Sequence, residues 1–167
     1  MNVSNQPQRF RTFFLCITPA IWMGLVVGLA FIETPLKFQA DGISTEEALG
    51  IGRLVFMALN VSEIFLSVVL AFLCFLHRDY FYRAWQWIPV TGVIAIVSVQ
   101  TVYLLPELRE RSDLIIAGNK VGPSYLHAAY TTVEVLKLVL LLLCAWIGFL
   151  IVQAKLSRTL DSSEQGN

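Results

Sequence analysis

His127, Tyr130, Glu134 and Lys137 recur at three- and four-residue steps along Tyr125 to Lys137, a stretch that runs straight into the apolar Leu138 to Val152. That spacing puts an imidazole, a phenol, a carboxylate and an ammonium on one face of a helix. Such groups are costly at the entrance to a membrane span, and where they occur they mark pairing, binding or proton-transfer sites.

Two further stripes accompany this one. At about 100° per residue, Arg53, Asn60, Glu63 and Ser67 fall within about 80° of arc, and so do Gln100, Tyr103 and Glu107. Rising about 1.5 Å per residue through a hydrocarbon core about 30 Å thick, Glu63, Gln100 and Lys137 share one layer roughly 7 to 10 Å below the outer surface. Asn60, Tyr103, Glu134 and Glu33 lie nearer that surface, and His127 and Tyr130 lie at or just beyond it. Val68 to Leu76, Ile88 to Val97 and Leu138 to Val152 are almost free of polar side chains. The expected site is therefore a pocket open on one side and sealed on the other. Glu63 and Lys137 form its floor, Asn60, Gln100, Tyr103 and Tyr130 its walls, and Glu33, Arg53, His127 and Glu134 its mouth.

The chemistry open to such a pocket is limited. Glu63 with Lys137 is the expected ion pair, since pairing is the usual remedy for an intramembrane charge, and it serves either helix register or proton and ligand binding. His127, Glu134 and Glu63, with Glu33, offer imidazole and carboxylates to a divalent metal. His127 and Glu134 are two turns apart, however, so an ion would need ligands from several helices. The two histidines, His77 and His127, fall at opposite membrane faces and cannot bracket one haem. No nucleophile elbow accompanies Ser124 and His127. Cys16, Cys74 and Cys144 form no CxxC pair, which argues against disulfide-redox chemistry and for small buried apolar residues.

The elements that must position these residues are spans. The chain has 167 residues, 56% hydrophobic and 14% charged, with a mean hydropathy of +0.67. This is too apolar for an ordinary soluble domain. Four stretches can cross a bilayer: Phe13 to Ile32, Leu54 to Leu76, Trp85 to Leu105 and Val133 to Val152. The expected fold class is all-α, an integral membrane bundle of four transmembrane helices. A polar lead-in (1–12) precedes a single transmembrane domain (13–153), and a polar, disordered tail (154–167) follows. Pro35 should stop or kink the first span, Pro106 should end the third, and Glu107 to Lys120 should form a polar loop. Ser44 and Glu47 read as a capping box. Gly24, Gly28 and Ala30 fit close helix packing. The segment from His77 to Trp87 alternates charges with aromatics, as membrane interfaces do.

Lys and Arg beside the spans slightly favour both termini in the cytoplasm, with Arg9, Arg11, Arg78, Arg83, Lys155 and Arg158 on that side. The integral protein is then expected in a bacterial inner membrane or a plasma membrane. The net charge of zero carries no polybasic signature of nucleic-acid binding. Glu63 follows Pro35, and Glu134 follows Pro106, by the same 28 residues. A duplicated helical hairpin would give this pattern, and it would move Glu134 deeper, towards Glu63.

Gly24 to Phe38 with its Pro-x-x-Phe ending, Gly52-x-x-x-Phe56, Gln100-Thr101-Val102 before Leu104-Leu105-Pro106, and a histidine opening the last span together resemble the small four-helix membrane proteins related to transmembrane protein 205. The resemblance covers most of the chain. It implies four spans, an activity that is poorly defined, and a role for His127, some relatives being discussed with metal or metallodrug handling. Glu134 and Lys137 depart from the smaller or neutral residues expected after that histidine.

Three function classes remain. The first is an outward-facing intramembrane pocket that binds or passes a small polar ligand, a proton or a divalent metal ion. The second is a non-catalytic accessory or assembly subunit that uses the same charges to dock a membrane partner or another copy of itself. The third is a membrane-embedded enzyme acting on a lipid or quinone, for which no catalytic motif is present.

Overall fold

The computed structural model describes residues 6–81 and 83–164, and side chains within 10–81 and 83–157. Helix α1 starts at Gln6 and reaches Lys37 in three continuous pieces, Gln6–Val26, a π-helical stretch Val27–Glu33 and a last turn Thr34–Lys37. Helix α2 spans Thr45–Leu76. Helix α3 opens with a 3-10 turn Ala84–Trp87 and continues as Ile88–Val99, a π-helical stretch Gln100–Leu104 and Leu105–Ile116. Helix α4 spans Leu126–Glu164. All four contain a segment long and apolar enough to cross a membrane: Phe10–Lys37, Thr45–Leu76, Ala84–Ile116 and Leu126–Ser157. The protein is a four-helix membrane bundle, in which α1 packs on α2 and α4, and α3 completes the ring against the same two helices.

The helices outrun the spans that hydropathy alone delimits. Neither Pro35 nor Pro106 ends its helix. A proline inside a helix lacks an N–H and crowds the carbonyl four residues back. Here the preceding turn widens, and each proline sits in the first turn of the next α-helical segment, where it is tolerated. In the widened turns the bonds run to carbonyls five residues back: the Thr34 hydroxyl donates to Leu29 O at 3.0 Å, and the Leu105 N–H donates to Gln100 O. The expected polar loop after Pro106 is therefore helical through Ile116. The expected lead-in is helical from Gln6 within the described residues. The expected disordered tail is helical through Glu164. The Ser44 capping box does form: Glu47 N–H donates to Ser44 Oγ at 3.2 Å and Ser44 N–H to Glu47 Oε2 at 2.8 Å.

Burial follows a narrow inward stripe on each helix. Leu15, Trp22, Leu59, Leu70, Val93, Leu141 and Ile147 interlock along the bundle axis, while Phe65, Phe72, Leu142 and Trp146 face outward, where lipid solvates them. The close helix approach also differs from expectation. Gly24 and Gly28 have nothing near them, whereas a side chain at Gly148 would meet Leu15 O and Cys16 Sγ of α1, and one at Gly92 would meet Leu140 of α4. The tightest backbone approach is thus between α1 and α4.

At the end that carries the chain termini, Lys155 Nζ donates to Thr12 Oγ1 at 2.9 Å, tying α4 to α1. Thr12 Oγ1 lies 3.2 Å from His77 Nε2, and His77 Nδ1 lies 2.8 Å from Leu73 O. A carbonyl can only accept, so the proton sits on Nδ1, and Nε2 accepts from the threonine. Burial lowers the His77 pKa from 6.5, the Leu73 hydrogen bond opposes this, and the nearby Lys155 and Arg11 charges lower it further. A depressed folded-state pKa means that the neutral ring's stabilisation is complete above the unfolded value and is lost as pH falls through it. The thermal midpoint in detergent should fall between about pH 7 and pH 5 more steeply for wild type than for His77→Asn; parallel profiles for the two proteins would contradict this assignment.

Candidate functional site

Each helix contributes to one buried polar centre. Glu63 of α2, Glu134 and Lys137 of α4, Gln100 of α3 and Trp22 of α1 are all buried, with Glu63 and Lys137 at 0% exposure and Glu134 at 1%. The Lys137 ammonium is paired with Glu63 Oε1 and lies 2.9 Å from Glu134 Oε2. Its third direction points at Gln100 Oε1, at 2.8 Å. Gln100 turns its amide nitrogen to Glu134 Oε1 at 2.9 Å, and the Trp22 indole N–H donates to Glu63 Oε1 at 3.0 Å. Glu63 Oε2 accepts no hydrogen bond from a described residue, whereas Glu134 Oε2 faces the Lys137 ammonium.

Charge counting gives this centre its chemistry. Two carboxylates surround one ammonium, so the fully ionised centre carries one excess negative charge. Isolated charge in a medium of low dielectric is costly, and buried ions persist only when paired or neutralised. One proton bound at the centre would cancel that excess.

The helix geometry explains why these residues meet. Glu134 and Lys137 are i and i+3 on α4 and so share a face. Glu63 comes to the same level from α2, 28 residues after Pro35, as Glu134 does after Pro106. Gln100 opens the π-helical stretch of α3, and a π-turn of this kind often accompanies a functional site.

Towards the end opposite the termini the bundle opens. A cavity of about 520 Å³ lies between the ends of α1 and α3 and the starts of α2 and α4. Its inner wall includes Asn60, whose amide donates to Thr101 Oγ1 at 2.8 Å. Lys37 is buried against it, paired with Glu33 at 3.2 Å and lying 5.4 Å from the Phe56 ring centroid. Gly52 makes room for that ammonium, since a Cβ there would lie 2.6 Å from Lys37 Nζ. Arg53 pairs with Asp113 of α3 near the rim. A second void, of about 10 Å³, shares Phe56 and His127 with the large cavity and reaches Tyr130 and Glu134. That volume is close to what one water needs. Tyr130 is buried there, edge-on to Phe56 with centroids 5.2 Å apart.

The expected pocket residues therefore separate into groups. Glu63, Gln100, Glu134 and Lys137 are brought together. Asn60, Arg53 and His127 line the cavity, Glu33 holds Lys37 at its edge, and Tyr130 lies between cavity and centre. Glu134 belongs to the buried floor and not to the mouth, because its carboxylate faces Lys137 one turn further into the bundle. Tyr103 is no wall: it is 67% exposed. The wide turn that starts at Gln100 rotates Tyr103 off the inward face. The metal trio does not assemble either. His127 is exposed, the Lys137 ammonium occupies the space between the two carboxylates, and no group of three or more His, Cys, Asp or Glu among the described residues could hold a metal ion. The polar stripes do not include Trp22, although a tryptophan in mid-span, away from the interfacial belt, needs an acceptor for its N–H.

Comparisons with family models, with curated proteins and with solved structures return no match.

Removing the ammonium should be the most damaging change at the centre. Lys137→Met leaves two carboxylates facing each other and should cost about 3–5 kcal/mol, read as a lowered unfolding midpoint in detergent. Glu63→Gln keeps one carboxylate for Lys137 and should cost clearly less. A larger loss for Glu63→Gln than for Lys137→Met would contradict the excess of carboxylate.

Proposed function

We propose that this multi-pass membrane protein binds one proton at the Glu63–Lys137–Glu134 centre and exchanges it with the side onto which the large cavity opens. The observation that carries this reading is the excess of one carboxylate over ammonium at a fully buried site. The small void beside Glu134 supports a path, because it shares Phe56 and His127 with the cavity. In the opposite direction Leu70, Leu73, Val93, Leu141 and Cys144 close the bundle with apolar packing. The reading takes both termini as cytoplasmic, in an inner or plasma membrane, so that the cavity faces outward. Kinship with the small four-span proteins related to transmembrane protein 205 is proposed on the short motifs alone.

A second reading, that of a structural or assembly subunit, is favoured by one specific fact. The centre takes a member from every helix, as a device that fixes helix register would. The two readings separate on proton uptake. In a weakly buffered detergent solution, a pH jump should load about one proton per chain onto the wild type beyond its surface groups. Glu63→Gln and Glu134→Gln should each lose that uptake while eluting as folded protein. Uptake that is the same in all three proteins would leave only the structural reading standing.

A further inference from the structure

The large cavity has a charge pattern of its own. Lys37, Arg53, Arg109 and Arg111 all line it, and no Asp or Glu does. Glu33 offsets Lys37 and Asp113 offsets Arg53 from outside the lining. Arg109 and Arg111 form no ion pair with a described residue, and Arg111 has one N–H occupied by Gly122 O. The cavity thus presents two guanidinium groups outside any ion pair among the described residues, Arg109 also bordering a neighbouring surface groove with Glu110 and Asp113. Its remaining walls are mostly apolar, with Phe38, Phe56, Met57 and Leu105 prominent, and carry neutral polar groups at Asn60, Thr101 and Ser112. A volume of about 520 Å³ is in the range of small-molecule sites.

We propose that this cavity binds an amphipathic anion, with a phosphate or carboxylate head on Arg109 and Arg111 and an apolar chain along Phe56 and Met57. Arginine forks match the planar oxygen pairs of both heads and bind them in bidentate fashion. The cavity lies at the bundle end, where a head group at the interface and a chain reaching into the hydrocarbon satisfy both halves of the lining. The inference concerns the cavity and not the buried centre, so it holds or fails independently of proton uptake.

Photoaffinity labelling tests it, with a diazirine-bearing alkyl phosphate added to the full-length protein in phosphatidylcholine nanodiscs. Crosslinks should map to the segments containing Phe56, Met57 and Leu105, and dodecyl phosphate and dodecanoate should compete. Arg109→Gln combined with Arg111→Gln should weaken labelling about tenfold, with the unfolding midpoint confirming that the variant is folded. Competition by phosphatidic acid placed in the nanodisc would identify a membrane lipid as the source, and its failure to compete would identify a free amphiphile; both outcomes uphold the site. Equal competition by dodecanol or dodecyltrimethylammonium would overturn the anion, and equal competition by inorganic phosphate would overturn the apolar chain. Undiminished labelling of the double variant would overturn the site itself.

Discussion

Everything in this bundle depends on one ammonium held between two carboxylates where water is excluded. Lys137 has three N–H groups, and Glu63, Glu134 and Gln100 meet them from three helices. Polar contacts between transmembrane helices are individually modest, since lipid provides no hydrophobic drive for association and the separated helices find other partners. The force of this arrangement is its intolerance of rearrangement. Sliding any helix by one turn would leave a charge or an amide in hydrocarbon without a partner, so the centre fixes register for all four helices. The apolar ridges of α1 and α4, brought close at Gly148, then pack around it.

The two halves of the chain solve the same geometric problem in the same way. Each places a π-helical stretch ahead of a proline on its first span and a glutamate 28 residues later on its second. The wide turn lets the helix continue through the proline, and the matched interval brings both glutamates to one level. Two like charges at that level would repel; the single lysine, present only in the second half, converts repulsion into a shared ion pair. Matched spacing and an unmatched lysine together produce the two-to-one ratio of carboxylate to ammonium.

Much of this was legible in the residues. Twenty-residue apolar runs define spans, and 3.6-residue periodicity with a fixed rise is enough to place Glu63, Gln100 and Lys137 at one depth. The rest escaped for several physical reasons. Tyr103 follows Gln100 by three residues, which in an α-helix returns nearly to the same face but in a π-turn does not. Rise counting puts Glu134 a turn too shallow, whereas the matched interval from Pro106 points to the level of Glu63. Helical residues 107–116 and 154–164 are polar, and polarity alone does not distinguish a solvated helix from a loop. Trp22 carries no charge to attract notice, and its role follows only from which carboxylate lies across the bundle.

The most direct measurement is the infrared spectrum of the carboxyl groups in the purified protein. The proposed proton binding requires a protonated carboxyl at this centre, so a carbonyl stretch of a carboxylic acid should be present, shift on exchange into heavy water, and disappear in the Glu63→Gln, Glu134→Gln double variant. Absence of that band in the folded wild type at neutral pH would contradict the account.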